Sequence, residues 1–148
     1  SLEMLASSYI FFGLFSILGL IIGGPIIDKF NTRKVIFTTL LPQLLAILIL
    51  LFFDNYIFLF IYMSFYGFNL GISLPFIGAL WAEIYGVASL GTVKALLHAC
   101  MVLASALSPL IFGYLIDWGF GISTLIFLCA SIIIFSTLLP LFFTNYEY

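Results

Sequence analysis

Polar side chains are scarce in this sequence, and the few that interrupt its longest apolar stretches recur at helical spacing. Tyr62, Tyr66, Asn69 and Ser73 stand four, three and four residues apart. On a helix that spacing gathers them on one face. Asn69 has the richest hydrogen-bonding capacity of the set, because a primary amide both donates and accepts. It could hold a polar small molecule or a facing helix. His98, Ser105 and Ser108 form a second set, seven and three residues apart. The imidazole of His98 could exchange a proton near neutral pH. It also stands four residues from Lys94, about 6 Å along a helix. A histidine bonded to a backbone carbonyl near the lipid headgroups is therefore the alternative. Nothing points to covalent chemistry. The apolar stretches hold no paired carboxylates, and the sequence has no His-Glu-x-x-His. Cys100 and Cys129 sit apart within apolar stretches, as small packing residues do. No catalytic residue, metal site or cofactor is expected.

The elements that carry these residues must be membrane-length helices. Of 148 residues, 65% are hydrophobic and 7% charged, and the mean hydropathy is +1.35. A soluble domain carries about a quarter charged residues. This composition excludes a soluble enzyme and a disordered tail. Four Lys and Arg residues in all are too few for nucleic-acid phosphates, so no nucleic-acid partner is expected. Residues 4–27, 35–53, 56–82, 95–116 and 122–143 contain no Asp, Glu, Lys or Arg. A hydrocarbon core of about 30 Å needs about 20 helical residues, and each stretch supplies that length. Barrel strands are shorter and alternate apolar with polar, and residues 44–53 show no such alternation. The reading is all-α: one polytopic transmembrane domain over residues 1–148, five spans, with the lipid bilayer as its first partner.

All four basic residues fall on one side of this arrangement. Lys29, Arg33 and Lys34 follow the first span and Lys94 follows the third. Asp54-Asn55, residues 117–121 and the N-terminus occupy the other side without a Lys or Arg. The positive-inside rule then places both basic loops and the C-terminus in the cytoplasm. The opening Ser-Leu-Glu has no initiator Met and no basic leader, as in a segment that begins inside a longer protein.

The first basic loop reads Gly24-Pro25-Ile26-Ile27-Asp28-Lys29-Phe30-Asn31-Thr32-Arg33-Lys34. It resembles the loop motif of the major facilitator superfamily, G-x-x-x-D-[RK]-x-G-[RK]-[RK]. Gly24, Asp28 and Lys29 are in register, and Arg33 stands at the second late base. Asn31 replaces the usual Gly, and Asn tolerates positive φ better than most residues. Residues 81–94 form a short polar link on the same side. Ser108-Pro109-Leu110-Ile111-Phe112-Gly113-Tyr114-Leu115-Ile116-Asp117 is similar to the second-to-last helix of many facilitators. The resemblance covers residues 4–143. The chain closely resembles bacterial facilitators of unassigned substrate, and more loosely monocarboxylate and oxalate exchangers.

The resemblance implies the last five helices of the C-terminal half of a twelve-helix transporter. The missing N-terminal half would then be this chain's partner. Function would be secondary active transport of a small polar solute by alternating access, with or without a coupling proton or ion, in the bacterial inner membrane. Candidate cavity residues are Tyr66, Asn69, Ser73, His98, Ser105 and Ser108. Gly24, Asp28, Lys29, Asn31, Arg33 and Lys34 would form a cytoplasmic gating motif, its acid reaching a helix start in the other half. The resemblance also puts the second span outside the bundle, which makes Gln43 a packing residue. A non-transporting scaffold or sensor on the same fold is the alternative function. The topology has a direct check. Single cysteines introduced by Asn31→Cys and Asn55→Cys, with Cys100 and Cys129 replaced, should label from opposite sides of the membrane. Labelling of both from one side would overturn it.

Overall fold

A computed structural model describes residues 2–30, 39–52 and 55–143, with side chains described for residues 3–30, 39–52 and 55–139. Five α-helices follow one another: α1 (Leu2–Lys29), α2 (Leu41–Phe52), α3 (Ile57–Tyr85), α4 (Leu90–Asp117) and α5 (Ile122–Phe143). No strand occurs among the described residues. Helices α1, α3, α4 and α5 are long and apolar enough to cross a membrane. Helix α2 has 12 residues within the described part, and residues 35–38 and 53 of the expected second span lie outside it.

The helices outrun the uncharged stretches that announced them. Asp28 and Lys29 belong to the last turn of α1, Glu83 to α3 and Lys94 to α4. The polar link expected over residues 81–94 thus shrinks to residues 86–89. Charge marks where hydrocarbon ends. A helix satisfies its own backbone and continues into the headgroup layer. At 29 residues α3 is about 43 Å long, against a core of about 30 Å. Gly86 stops it at φ 75°, a left-handed conformation that costs glycine little, and its N–H donates to the Ala82 carbonyl at 3.0 Å. At the other end the Asn55 Oδ1 accepts from the Ile57 N–H at 3.3 Å.

The tightest packing joins α1 to α3. Gly19 and Gly23 on α1 and Gly67 and Gly71 on α3, each pair four residues apart, lie along this contact, and Gly19 meets Gly71 directly. A Cβ on Gly71 would run into the backbone carbonyl of Ser16. One on Gly67 would meet the backbone of Phe12, and one on Gly19 the backbone of Phe68 and Ile72. Small residues at this interval let helix backbones touch, which in lipid is the main attraction available. Phe11 meets Phe60 with ring centroids 5.3 Å apart, Phe12 meets Tyr66 at 5.6 Å, and Gly23 meets Pro75. Positions rise together along both helices, so α1 and α3 run parallel. Gly13 takes no part in this contact, with no described residue within 4 Å of its Cβ position.

Helix α2 lies antiparallel to α3, with Gln43 beside Asn69 and Ile47 beside Tyr62 and Met63. It also packs on α5, where Leu50 shares a pocket with Ile122 and Leu125. Helix α4 returns antiparallel to α3: Lys94 lies against Gly78, and Phe112 shares a cavity wall with Tyr62. No residue of α4 is buried. The alternation brings the C-terminal ends of α1 and α3 and the start of α4 to one end of the bundle. Gly71→Ala should lower the melting temperature in detergent by about 2–10 °C, since overpacking costs about 1–3 kcal/mol. Gly113, with open space at its Cβ position, should accept Ala without loss. Equal melting of both variants would refute the close approach.

Candidate functional site

Hydroxyls inside the helices divide into two groups. Ser8 is fully buried and donates to the Leu5 carbonyl at 2.7 Å. Ser64 donates to the Phe60 carbonyl at 2.8 Å, and Thr137 to the Ile134 carbonyl at 2.7 Å. These side chains satisfy themselves on their own helix, as Ser and Thr commonly do in apolar surroundings. They have no hydroxyl hydrogen left to offer a neighbour. Tyr9, Gln43, Tyr62, Tyr66 and Ser108 converge elsewhere.

All five helices contribute to one cavity of about 720 Å³. Tyr9 and Phe12 enter from α1, Tyr62 and Tyr66 from α3, and Ser108 and Phe112 from α4. Gln43 and Ile47 of α2 and Cys129, Ile132 and Ile133 of α5 close it. Tyr62 and Phe112 each lie five residues from the ends of their helices at the Asn55 and Asp117 end. Tyr66 and Ser108 each lie nine residues from it. The cavity therefore sits about 8–14 Å in from that end. The Tyr62 and Tyr66 rings stack, with centroids 5.9 Å apart and planes 3° from parallel. Phe12 lies tilted against Tyr66, and Tyr9 meets Phe12 edge to face at 6.2 Å. Four rings form a continuous aromatic wall, an arrangement favoured by ring quadrupoles.

Behind that wall α2 and α3 are tied by an amide pair. The Asn69 Nδ2 donates to the Gln43 Oε1 at 2.8 Å. Asn69 is 8% exposed, and its Oδ1 is buried without a hydrogen-bond partner among the described residues. Gln43 is half-buried and reaches the cavity. Asn69 therefore stands one layer back from the cavity, with Gln43 in front of it.

Of the residues singled out by spacing, the structure brings Tyr66 and Ser108 together on the cavity. Asn69 reaches it only through Gln43, and Ser73 is half-buried outside the lining. His98 and Ser105 lie exposed on α4, also outside the lining. Tyr9, Phe12, Gln43 and Cys129 were not expected there. Gln43 is the sole amide of the second apolar stretch, and Tyr9 the sole tyrosine of the first; those were the available signals. In the loop motif, Gly24 stands within α1 with open space at its Cβ position. Asp28 and Lys29 are exposed, and the Lys29 Nζ sits 5.8 Å from the Phe30 ring centroid, within cation–π range. Asn31, Arg33 and Lys34 lie outside the described residues.

The amide pair predicts a measurable coupling. Asn69→Ala and Gln43→Ala in a double-mutant cycle of unfolding in detergent should couple by about 0.5–1.5 kcal/mol, the range for interhelical hydrogen bonds in membrane proteins. Strict additivity would show that the two side chains do not bond.

No curated protein and no solved structure matches the chain. The sequence pattern of the Major Facilitator Superfamily matches residues 1–147. Its members are transporters of small solutes, not enzymes. Long apolar helices and this match together identify an integral, multi-pass membrane protein. The chain belongs to the major facilitator superfamily.

Proposed function

We propose that the chain is the last five helices of the C-terminal half of a secondary active transporter that moves a small polar solute by alternating access. The cavity carries this reading. It is built from all five helices, is apolar over most of its wall, and presents tyrosine and serine hydroxyls and one amide. A few polar groups on an apolar wall are what a small-molecule site requires. The unburied helix α4 supports a neighbour beyond this chain, which the twelve-helix arrangement supplies as the N-terminal half. Residues 35–53 would make the fifth crossing. The four-to-zero distribution of basic residues supports a cytoplasmic C-terminus, with the bacterial inner membrane as the site of action.

Asp28 acts in this reading as a gate. It is exposed at the end of α1, free to meet a helix N-terminus of the other half, where the macrodipole favours an anion by about 0.3–2 kcal/mol. A contact made in only one state shifts the population by its own differential free energy. Saturable uptake of a solute into proteoliposomes holding the full-length protein tests transport against a scaffold role. Asp28→Asn should slow that uptake and favour the inward-open state, read by cysteine accessibility. The same substitution should leave the melting temperature of the isolated 148-residue chain unchanged. An equal loss of stability in both would make Asp28 a local structural residue.

A further inference from the structure

We propose that the cavity selects an uncharged solute with a flat apolar or aromatic face and a hydrogen-bonding group at its edge. The inference rests on the transport reading for its biological meaning and on the cavity alone for its chemistry. The wall supplies five aromatic residues, Tyr9, Phe12, Tyr62, Tyr66 and Phe112, and the Tyr62 and Tyr66 rings are stacked in parallel planes. A flat face lies against such rings by the offset or edge contacts they favour, worth about 0.5–1.5 kcal/mol per pair beyond buried area. The polar residues on the wall are Tyr9, Tyr62, Tyr66, Ser108, Gln43 and Cys129.

Charge decides the class. Among the described residues no Asp, Glu, Lys, Arg or His lines the cavity. An ion entering it loses hydration worth several kcal/mol and meets no opposite charge. A cation would recover about 2 kcal/mol from an aromatic face when desolvated, which falls short. An anion could accept from hydroxyls and from the Gln43 –NH2, but it too would meet no opposite charge and would lie against the negative faces of the rings. A neutral solute has no such penalty, because hydroxyl and amide partners replace the hydrogen bonds it leaves in water. Gln43 is the best placed of these partners. Its Oε1 is engaged by the Asn69 Nδ2, so the carbonyl end of the side chain is anchored and the –NH2 end supplies two donors. Asn69 is then a positioning residue for Gln43 rather than a group in contact with the solute.

Three small molecules that share one ring and differ in charge test this on the purified full chain and on the full-length protein in detergent. They are benzamide, benzoate and benzyltrimethylammonium, with binding read by saturation-transfer NMR titration. Benzamide should bind at least tenfold more tightly than either ion. Tyr66→Ala should weaken benzamide at least fivefold, which separates the cavity from partition into detergent. Gln43→Leu should weaken benzamide and leave toluene binding within twofold. Asn69→Ala should weaken benzamide less than Gln43→Leu does. Binding of benzoate or benzyltrimethylammonium as tight as that of benzamide would overturn the proposal, as would benzamide binding indifferent to Tyr66→Ala. Neutral-selective binding without saturable solute uptake in proteoliposomes would instead leave the site standing and overturn the transport reading.

Discussion

The direct contact of the α1 and α3 backbones is the constraint on which the rest of the bundle depends. In lipid, burying a leucine against another helix gains little over burying it in acyl chains. Two helices hold together where their backbones come close enough for dense van der Waals contact. Gly19, Gly67 and Gly71 provide that closeness by having no side chain to remove. Because both helices carry their glycines four residues apart, the contact also sets their register and their parallel course. Phe12 and Tyr66 then meet without choice, and with them one side of the cavity wall.

The other helices are held differently. Helix α2 is anchored by the Asn69–Gln43 amide bond and by apolar contact with α5. An amide with an unmet acceptor inside an apolar bundle is costly to leave so, and among the described residues the buried Asn69 Oδ1 is such an atom. The other end of the same amide bonds Gln43, which lines the cavity. Helix α4 is the contrast, with no buried residue along its 28-residue length. Its glycines at positions 91 and 113 have open space around them. A helix so lightly held by its own chain is the element most easily moved, and α4 supplies Ser108 and Phe112 to the same cavity.

One molecule thus divides its work by end. Toward the Asn55 and Asp117 end lies an open, aromatic cavity. Toward the other end the glycine contact of α1 with α3 continues to Gly23 and Pro75, and the charged turn of Asp28 and Lys29 follows. Under the proposed transport reading, the cavity end would take the solute and the charged end would gate its passage.

Composition and spacing alone determined the class of this protein. Uncharged stretches of membrane length cannot be anything but helices in lipid, because no other single segment satisfies its own backbone there. The loop from Gly24 to Lys34 pointed to the family, and the family match agrees. The four-residue spacing of Gly19 and Gly23, and of Gly67 and Gly71, was legible in the sequence. Their partners were not, since a four-residue interval states how near a neighbour can come and not which neighbour comes. The same limit governed the cavity. Periodicity placed Tyr66 and Asn69 on one helix face, yet only the position of α2 decided that Gln43 would stand between Asn69 and the cavity. His98 and Ser105 share a helix with Ser108, and only the light packing of α4 left them outside. A helix face is a local property of 3.6 residues per turn, whereas a cavity is a property of five helices at once. The tertiary structure alone decided which faces met.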